Sequence, residues 1–164
     1  MRLRAGLRDE PAGVFAAGVG GKSARKSQWI ALMRVLIVEN NSAMRHLLRQ
    51  VIGDAAEVYE CTDGAEALPL YEAHHLNGAD WVLMDLRMAR VNGLEATRRL
   101  RAAHEDARVL IVTSYSDARL REAARQAGAC GYVLKENLHQ LQELLAENSP
   151  AHCPWQCVES KRSL

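Results

Sequence analysis

The sequence predicts a doubly wound α/β fold, a five-stranded parallel sheet covered by helices on both faces. Three observations carry that expectation. Short apolar runs recur at Val35–Val38, Val58–Tyr59, Trp81–Met84, Val109–Val112 and Tyr132–Leu134. Stretches with helical spacing separate them, and Gly, Asn or Asp marks most of the boundaries. Continuous rather than alternating apolar strands indicate burial on both faces, which is the situation of a parallel sheet.

Taken in order, the first run, Val35–Leu36–Ile37–Val38, is followed by Ser42, which is expected to cap a helix. That helix carries Met44, Leu47, Leu48 and Val51 at i, i+3, i+4 and i+7 and stops at Gly53. Val58 and Tyr59 form a weaker run, as expected of an edge strand. Asp63–Gly64 opens a second helix through Ala67, Leu68 and Tyr71, with Pro69 expected to kink or shorten it. After Trp81–Met84, Asn92–Gly93 starts a third helix with Leu94, Thr97 and Leu100 on one face. After Val109–Val112, a fourth helix carries Leu120, Ala123, Ala124 and Ala127 and stops at Gly128. The last run leads into a helix with Leu138, Leu141, Leu144 and Leu145. Right-handed crossovers leave few topologies for such a chain, and the flavodoxin-like order 2-1-3-4-5 is the expected one. Its ligand crevice lies outside the C-terminal strand ends, at the switch point between strands 1 and 3.

Composition bounds the rest. The 164 residues suffice for one domain with tails. No apolar run approaches the roughly 18–20 residues of a membrane helix, so a soluble, cytoplasmic protein is expected. The charge is asymmetric: residues 1–32 carry six Lys/Arg against two acids, and residues 33–148 carry 13 against 17. An acidic body argues against direct binding of nucleic acid, whose phosphates must be neutralised. Residues 1–32 are expected to be a flexible basic tail. A second reading takes Met33 as the natural start and the preceding residues as a start-site artefact. Gly18, Gly20, Gly21, Lys22 and Ser23 resemble a phosphate-binding loop only loosely, with the wrong spacing and no strand before them. Asp9 and Glu10 argue against an organelle transit peptide. Residues 33–148 form the expected domain, and 149–164 are a short tail with Pro150, Pro154 and Trp155. Of the four cysteines, Cys61 and Cys130 are expected to be buried thiols. Cys153 and Cys157, beside His152, have a spacing poorly suited to zinc. His46 is expected to be a solvated helix residue.

The strand ends bring one chemistry together. Glu39 and Asn40 follow the first run, Asp85 the third, Thr113 the fourth and Lys135 the fifth. A longer acid, an amide, a carboxylate, a hydroxyl and an ammonium on one rim suit a divalent cation and a phosphoryl group. Hard oxygen donors suit Mg²⁺. Lys135 can neutralise a phosphoryl oxygen, Thr113 can donate to another, and Asp85 can act as nucleophile. Any one of these residues alone is more simply a turn or cap residue; it is their coincidence on one edge that indicates a site. A hydrolase using an Asp nucleophile would want an acid where Arg87 stands, and a flavin carrier would want hydroxyls where Glu39–Asn40–Asn41 stand.

Met84–Asp85–Leu86–Arg87–Met88 with Asn92–Gly93–Leu94–Glu95, and Ala127 through Lys135, resemble the phosphoacceptor and fifth-strand segments of response-regulator receiver domains of two-component signalling. The second segment is most similar to the subgroup that precedes helix-turn-helix output domains, for which residues 149–164 are too short. The resemblance implies that Asp85 takes phosphate from the phosphohistidine of a sensor histidine kinase or phosphotransfer protein. It implies that Glu39 and Asn40 hold Mg²⁺ with Asp85 and the backbone carbonyl of Arg87. Thr113 and Lys135 would bind the phosphoryl group, with Thr113 and Tyr132 as the switch pair. The output face would be the fourth helix, fifth strand and fifth helix, roughly Asp117 to Glu147, toward a downstream protein or a homodimer partner. Asn40 departs from the family's usual Asp, so weakened Mg²⁺ binding is expected; one missing charge near a cation is worth on the order of several kcal/mol. Ala89 and Glu136 replace usual prolines, which should loosen the first loop and alter the second. The alternative reading is a phosphorylation-independent pseudo-receiver that acts as a protein-interaction module.

Overall fold

The computed structural model describes residues 33–54 and 56–146. The N-terminal tail, the Cys153–Cys157 pair and the C-terminal tail lie outside the described residues. The elements are β1 Arg34–Val38, α1 Ser42–Ile52, β2 Glu57–Cys61, α2 Gly64–Ala73, β3 Trp81–Met84, α3 Gly93–Ala103, β4 Arg108–Thr113, α4 Ala118–Gln126, β5 Gly131–Leu134 and α5 His139–Ala146. A 3₁₀ turn, Lys135–Asn137, links β5 to α5. The sheet has five strands in the order β2-β1-β3-β4-β5, and every pairing is parallel. This is the expected flavodoxin-like winding, with β2 on an edge.

Alternation along the strands divides the core in two. Leu36, Val38, Val82, Met84, Val109 and Ile111 face one side, where Ala67 and Tyr71 of α2, Ala96 and Leu100 of α3 and Ala124 of α4 cover them. Val35, Ile37, Leu83, Leu110, Val112 and Val133 face the other, beneath Leu48 and Ile52 of α1 and Leu141 and Leu145 of α5. β3 and β4 are buried along their whole length, and apart from Arg108 and Thr113 at the two ends of β4 their residues are apolar. Each fully buried aliphatic side chain contributes about 1.5–3 kcal/mol of transfer free energy.

Local chemistry sets the boundaries. Asn41, not Ser42, caps α1: its side chain accepts the Met44 N–H at 3.0 Å, and Ser42 is already helical. The amide of Asn reaches the third N–H as well as a serine hydroxyl does, so the sequence offered two adjacent candidates. Gly53 ends α1 with φ +79°, a left-handed conformation that disfavours any side chain. The buried stripe of α1 is Leu48 and Ile52, while Leu47 is 41% exposed and Met44 and Val51 are half-buried. Helix α2 continues through Pro69 to Ala73. Asp63, Asn92 and Asp117 cap α2, α3 and α4 through their side-chain oxygens. Cys61 is buried, and burial pushes its thiol up to about 12. Cys130 is only half-buried, a correction to the expectation, because it lies before β5 rather than inside it. His46 is exposed, as expected of a solvated helix residue. No helix among the described residues is long and apolar enough to cross a membrane.

Candidate functional site

The rim at the C-terminal strand ends is built by the register. Val38 pairs with Met84 and Met84 with Ile111, so the residues that follow β1 and β3 emerge side by side. The Asp85 N–H donates to the Val38 carbonyl at 2.9 Å, extending the β1–β3 ladder by one residue past the strand end. Thr113 is the last residue of β4, opposite Leu134, and Lys135 follows directly.

Three of the expected residues meet there. The Lys135 ammonium lies 2.6 Å from Glu39 Oε2 and 3.2 Å from Asp85 Oδ1. Both carboxylates are almost fully buried, at 1% and 6% relative exposure for Glu39 and Asp85, so both charges rely on protein partners rather than water. Burial alone would depress the lysine; Glu39 and Asp85 outweigh it and hold its pKa above the ordinary value. Glu39 Oε1 accepts the Asn41 N–H at 2.9 Å, which turns the acid inward. Asp85 Oδ2 accepts the Arg87 N–H at 3.2 Å. Thr113 is fully buried, and its hydroxyl has no hydrogen-bond partner among the described residues. Asn40 is exposed, so the first acid of the pair faces the lysine and the amide faces solvent. Tyr132 is half-buried on the α2–α4 face of the sheet, and its hydroxyl donates to the Tyr115 carbonyl at 2.6 Å. Burial raises its phenol pKa, with Arg121 opposing.

Several further residues support the rim. Asp63 is more than a helix cap: besides Ala65 N–H it accepts Arg90 N–H at 2.8 Å and Val91 N–H at 3.1 Å, pinning the β3–α3 loop that carries the rim. That loop is tied down despite Ala89. Burial alone would raise the Asp63 carboxyl; the three N–H donors outweigh it and hold its pKa below the usual range. Arg45 donates to the Glu39 carbonyl at 2.8 Å and pairs with Glu60. The Arg87 guanidinium donates to the Tyr115 hydroxyl. These contacts join residues far apart in sequence, and no local pattern announces them. All described peptide bonds are trans, including Lys135–Glu136. Beside Lys135, an open groove of about 360 Å³ is lined by Asn41, Ala43, Met44, Leu47 and Ser114.

Comparison with known proteins decides the family. The sequence profile of the response regulator receiver domain matches residues 35–146. The chain belongs to that family. Among relatives of this receiver domain, the cyclic di-GMP phosphodiesterase response regulator RpfG of Xanthomonas campestris pv. campestris is 35% identical over 76% of this chain and 33% of its own length. The response regulator MprA of Mycobacterium sp. is 34% identical, over 74% of this chain and 54% of its own. The chain therefore spans about a third to a half of these relatives. The chemotaxis protein CheY of Halobacterium salinarum is 32% identical, over 62% of this chain and 83% of its own. Among solved structures, a LuxR-family DNA-binding response regulator from Staphylococcus aureus aligns with TM-score 0.63 and 29% identity, covering 71% of this chain and 98% of that one. Vibrio cholerae CheY4 shares the fold at TM-score 0.64 and 22% identity, covering 71% and 98%. The receiver domain is a module of two-component signalling.

Proposed function

We propose that Asp85 accepts a phosphoryl group from a phosphohistidine on a sensor histidine kinase or phosphotransfer protein, and that α4, β5 and α5 report it to a downstream protein or a second copy of the chain. The observation that carries this reading is the buried Asp85 carboxylate held 3.2 Å from Lys135 beside a second carboxylate, Glu39. An Asp85 oxygen attacks phosphorus; the O–P bond forms as the N–P bond to the imidazole breaks. The ring nitrogen keeps the electron pair and takes up a proton. Lys135 offsets the new charge, and the Thr113 hydroxyl, which has no partner among the described residues, supplies a donor. The half-exposed Met44 and the exposed Leu47, along the groove beside Lys135, offer an apolar rim for the phosphodonor protein.

The residues present fit Mg²⁺. Two carboxylates that reach one ammonium form a donor set suited to a small hard cation, which takes one or two carboxylates and keeps several waters. Glu39 and Asp85 would hold it, with the Asn40 amide and the Arg87 carbonyl as neutral donors; the bound ion supplies positive charge to the phosphoryl oxygens. The single net negative charge of Glu39, Asp85 and Lys135 is the protein's own pull on a cation. The domain acts as a signalling switch whose only turnover is its own phosphorylation and dephosphorylation.

The second reading, a phosphorylation-independent interaction module, is favoured by exposed Asn40, where a charged metal ligand is missing. Incubation with Mg²⁺ and acetyl phosphate, followed by intact-mass measurement, separates the two. The expected result is one acid-labile phosphoryl adduct that Asp85→Asn abolishes. No adduct even at high Mg²⁺ supports the second reading.

A further inference from the structure

We propose that Arg87 is a second cation of the phosphoryl site, parked on the Tyr115 hydroxyl in the resting domain and transferred to the phosphoryl group once Asp85 is modified; the inference rests on the Asp85 reading above. The placement comes first. Arg87 stands two residues past Asp85, and its N–H is bonded to Asp85 Oδ2 at 3.2 Å, which anchors its backbone at the carboxylate. Its side chain is exposed and bridges to the β4–α4 connection, where the guanidinium donates to Tyr115 and lies 5.5 Å from the centre of that ring.

Its partner sets this arginine apart from those held by carboxylates. Arg45 and Arg49 are paired with Glu60, Arg90 with Glu66, Arg99 with Glu95 and Arg125 with Glu122. Arg87 is instead held by a neutral phenol and a ring face, with no carboxylate bonded to its guanidinium among the described residues and Asp85 as a nearby negative charge. An arginine–phosphoryl bond is charge-assisted and fork-shaped, roughly twice as strong as a bond to a neutral acceptor. Phosphorylation replaces the single carboxylate charge of Asp85 with a phosphoryl group of nearly two negative charges, a net gain of about one, at a site whose Lys135 already serves both Glu39 and Asp85. The nearby guanidinium is the remaining cation on that loop able to answer them, and a phosphoryl oxygen outcompetes the phenol for it.

The transfer has a consequence at the far side of Tyr115. The Tyr115 carbonyl accepts the Tyr132 hydroxyl at 2.6 Å, and Arg121 of α4 lies 4.9 Å from the Tyr132 ring centre. Releasing the Tyr115 side chain frees the segment that carries this carbonyl, so the charge at Asp85 reaches the α4–β5 face through Arg87 and Tyr115.

The two partners make the test asymmetric. With the full chain, Mg²⁺ and acetyl phosphate, intact mass gives the occupancy at Asp85. Arg87→Gln should lower it roughly three- to ten-fold, because the phosphoryl loses a charged partner. Tyr115→Phe should raise it, because the guanidinium is no longer held back, and the double variant should follow Arg87→Gln. With 3-fluorotyrosine incorporated, the ¹⁹F resonance absent in Tyr115→Phe should shift on phosphorylation of the wild type and stay still in Arg87→Gln. Occupancy falling in both single variants, or a Tyr115 resonance that does not move while the adduct is present, overturns the transfer and leaves the Asp85 reading intact. Absence of any adduct on the wild-type chain defeats that reading and this inference together.

Discussion

Glu39 and Asn40 are neighbours in sequence with opposite fates. Glu39 turns inward because the Asn41 N–H and the Lys135 ammonium both bond its carboxylate, while Asn40 remains at the surface. An amide there offers an oxygen without charge, so in the proposed Mg²⁺ site the negative charge would come from Glu39 and Asp85 alone. Asn40→Asp restores that charge, and the phosphoryl yield at low Mg²⁺ should rise several-fold over the wild type; an unchanged yield across a Mg²⁺ titration would sink this account of the metal donors. Lys135 is the counterweight. Lys135→Met leaves two buried carboxylates without a cation, so it should lower stability by about 3–5 kcal/mol in chemical denaturation, and added Mg²⁺ should restore part of the loss.

At the level of elements, the loop between β3 and α3 is the part of the fold most constrained by the site. Gly93 opens α3 with its N–H on the Leu86 carbonyl, and a Cβ built there would stand 2.0 Å from the Asp85 carbonyl oxygen. The close approach leaves no room for a side chain without moving the Asp85 backbone. Gly93→Ala should therefore cost about 2–4 kcal/mol and reduce phosphorylation more than its stability loss explains, as read from denaturation midpoints and adduct yields on the same samples. The same loop is fastened to α2 by Asp63. A pattern of Asp followed by Gly announced the helix cap, which is a local event. The bonds to Arg90 and Val91 span 27 and 28 residues and depend on α2 and α3 packing together, so nothing local could announce them.

Asp63 also contributes, with Glu60, Glu95 and Glu122, to how the whole molecule responds to acid. Its folded pKa is lowered, so its contribution to stability is fully present above the unfolded carboxyl value of about 3.9 and is lost as pH falls through the lower folded value. Asp63→Asn should flatten the acid limb of the stability–pH curve below about pH 4 while leaving the slope near neutrality unchanged; thermal melts across that range are the measurement. A limb as steep as that of the wild type would place the acid sensitivity elsewhere. Across the molecule, what could be read from the amino acids alone was the periodic part. Five apolar runs, five amphipathic stretches and their caps set the winding order, because side-chain burial on a parallel sheet leaves few alternatives, and the strand-end rule then put Glu39, Asp85, Thr113 and Lys135 on one rim. The choice of Asn41 over Ser42 as cap, the half-exposure of Cys130, the inward turn of Glu39 against the outward Asn40, and the parking of Arg87 on Tyr115 were decided only in three dimensions. Each depends on which of several competent partners stands nearest once the chain has closed, and that distance is a property of the packed fold rather than of any sequence interval.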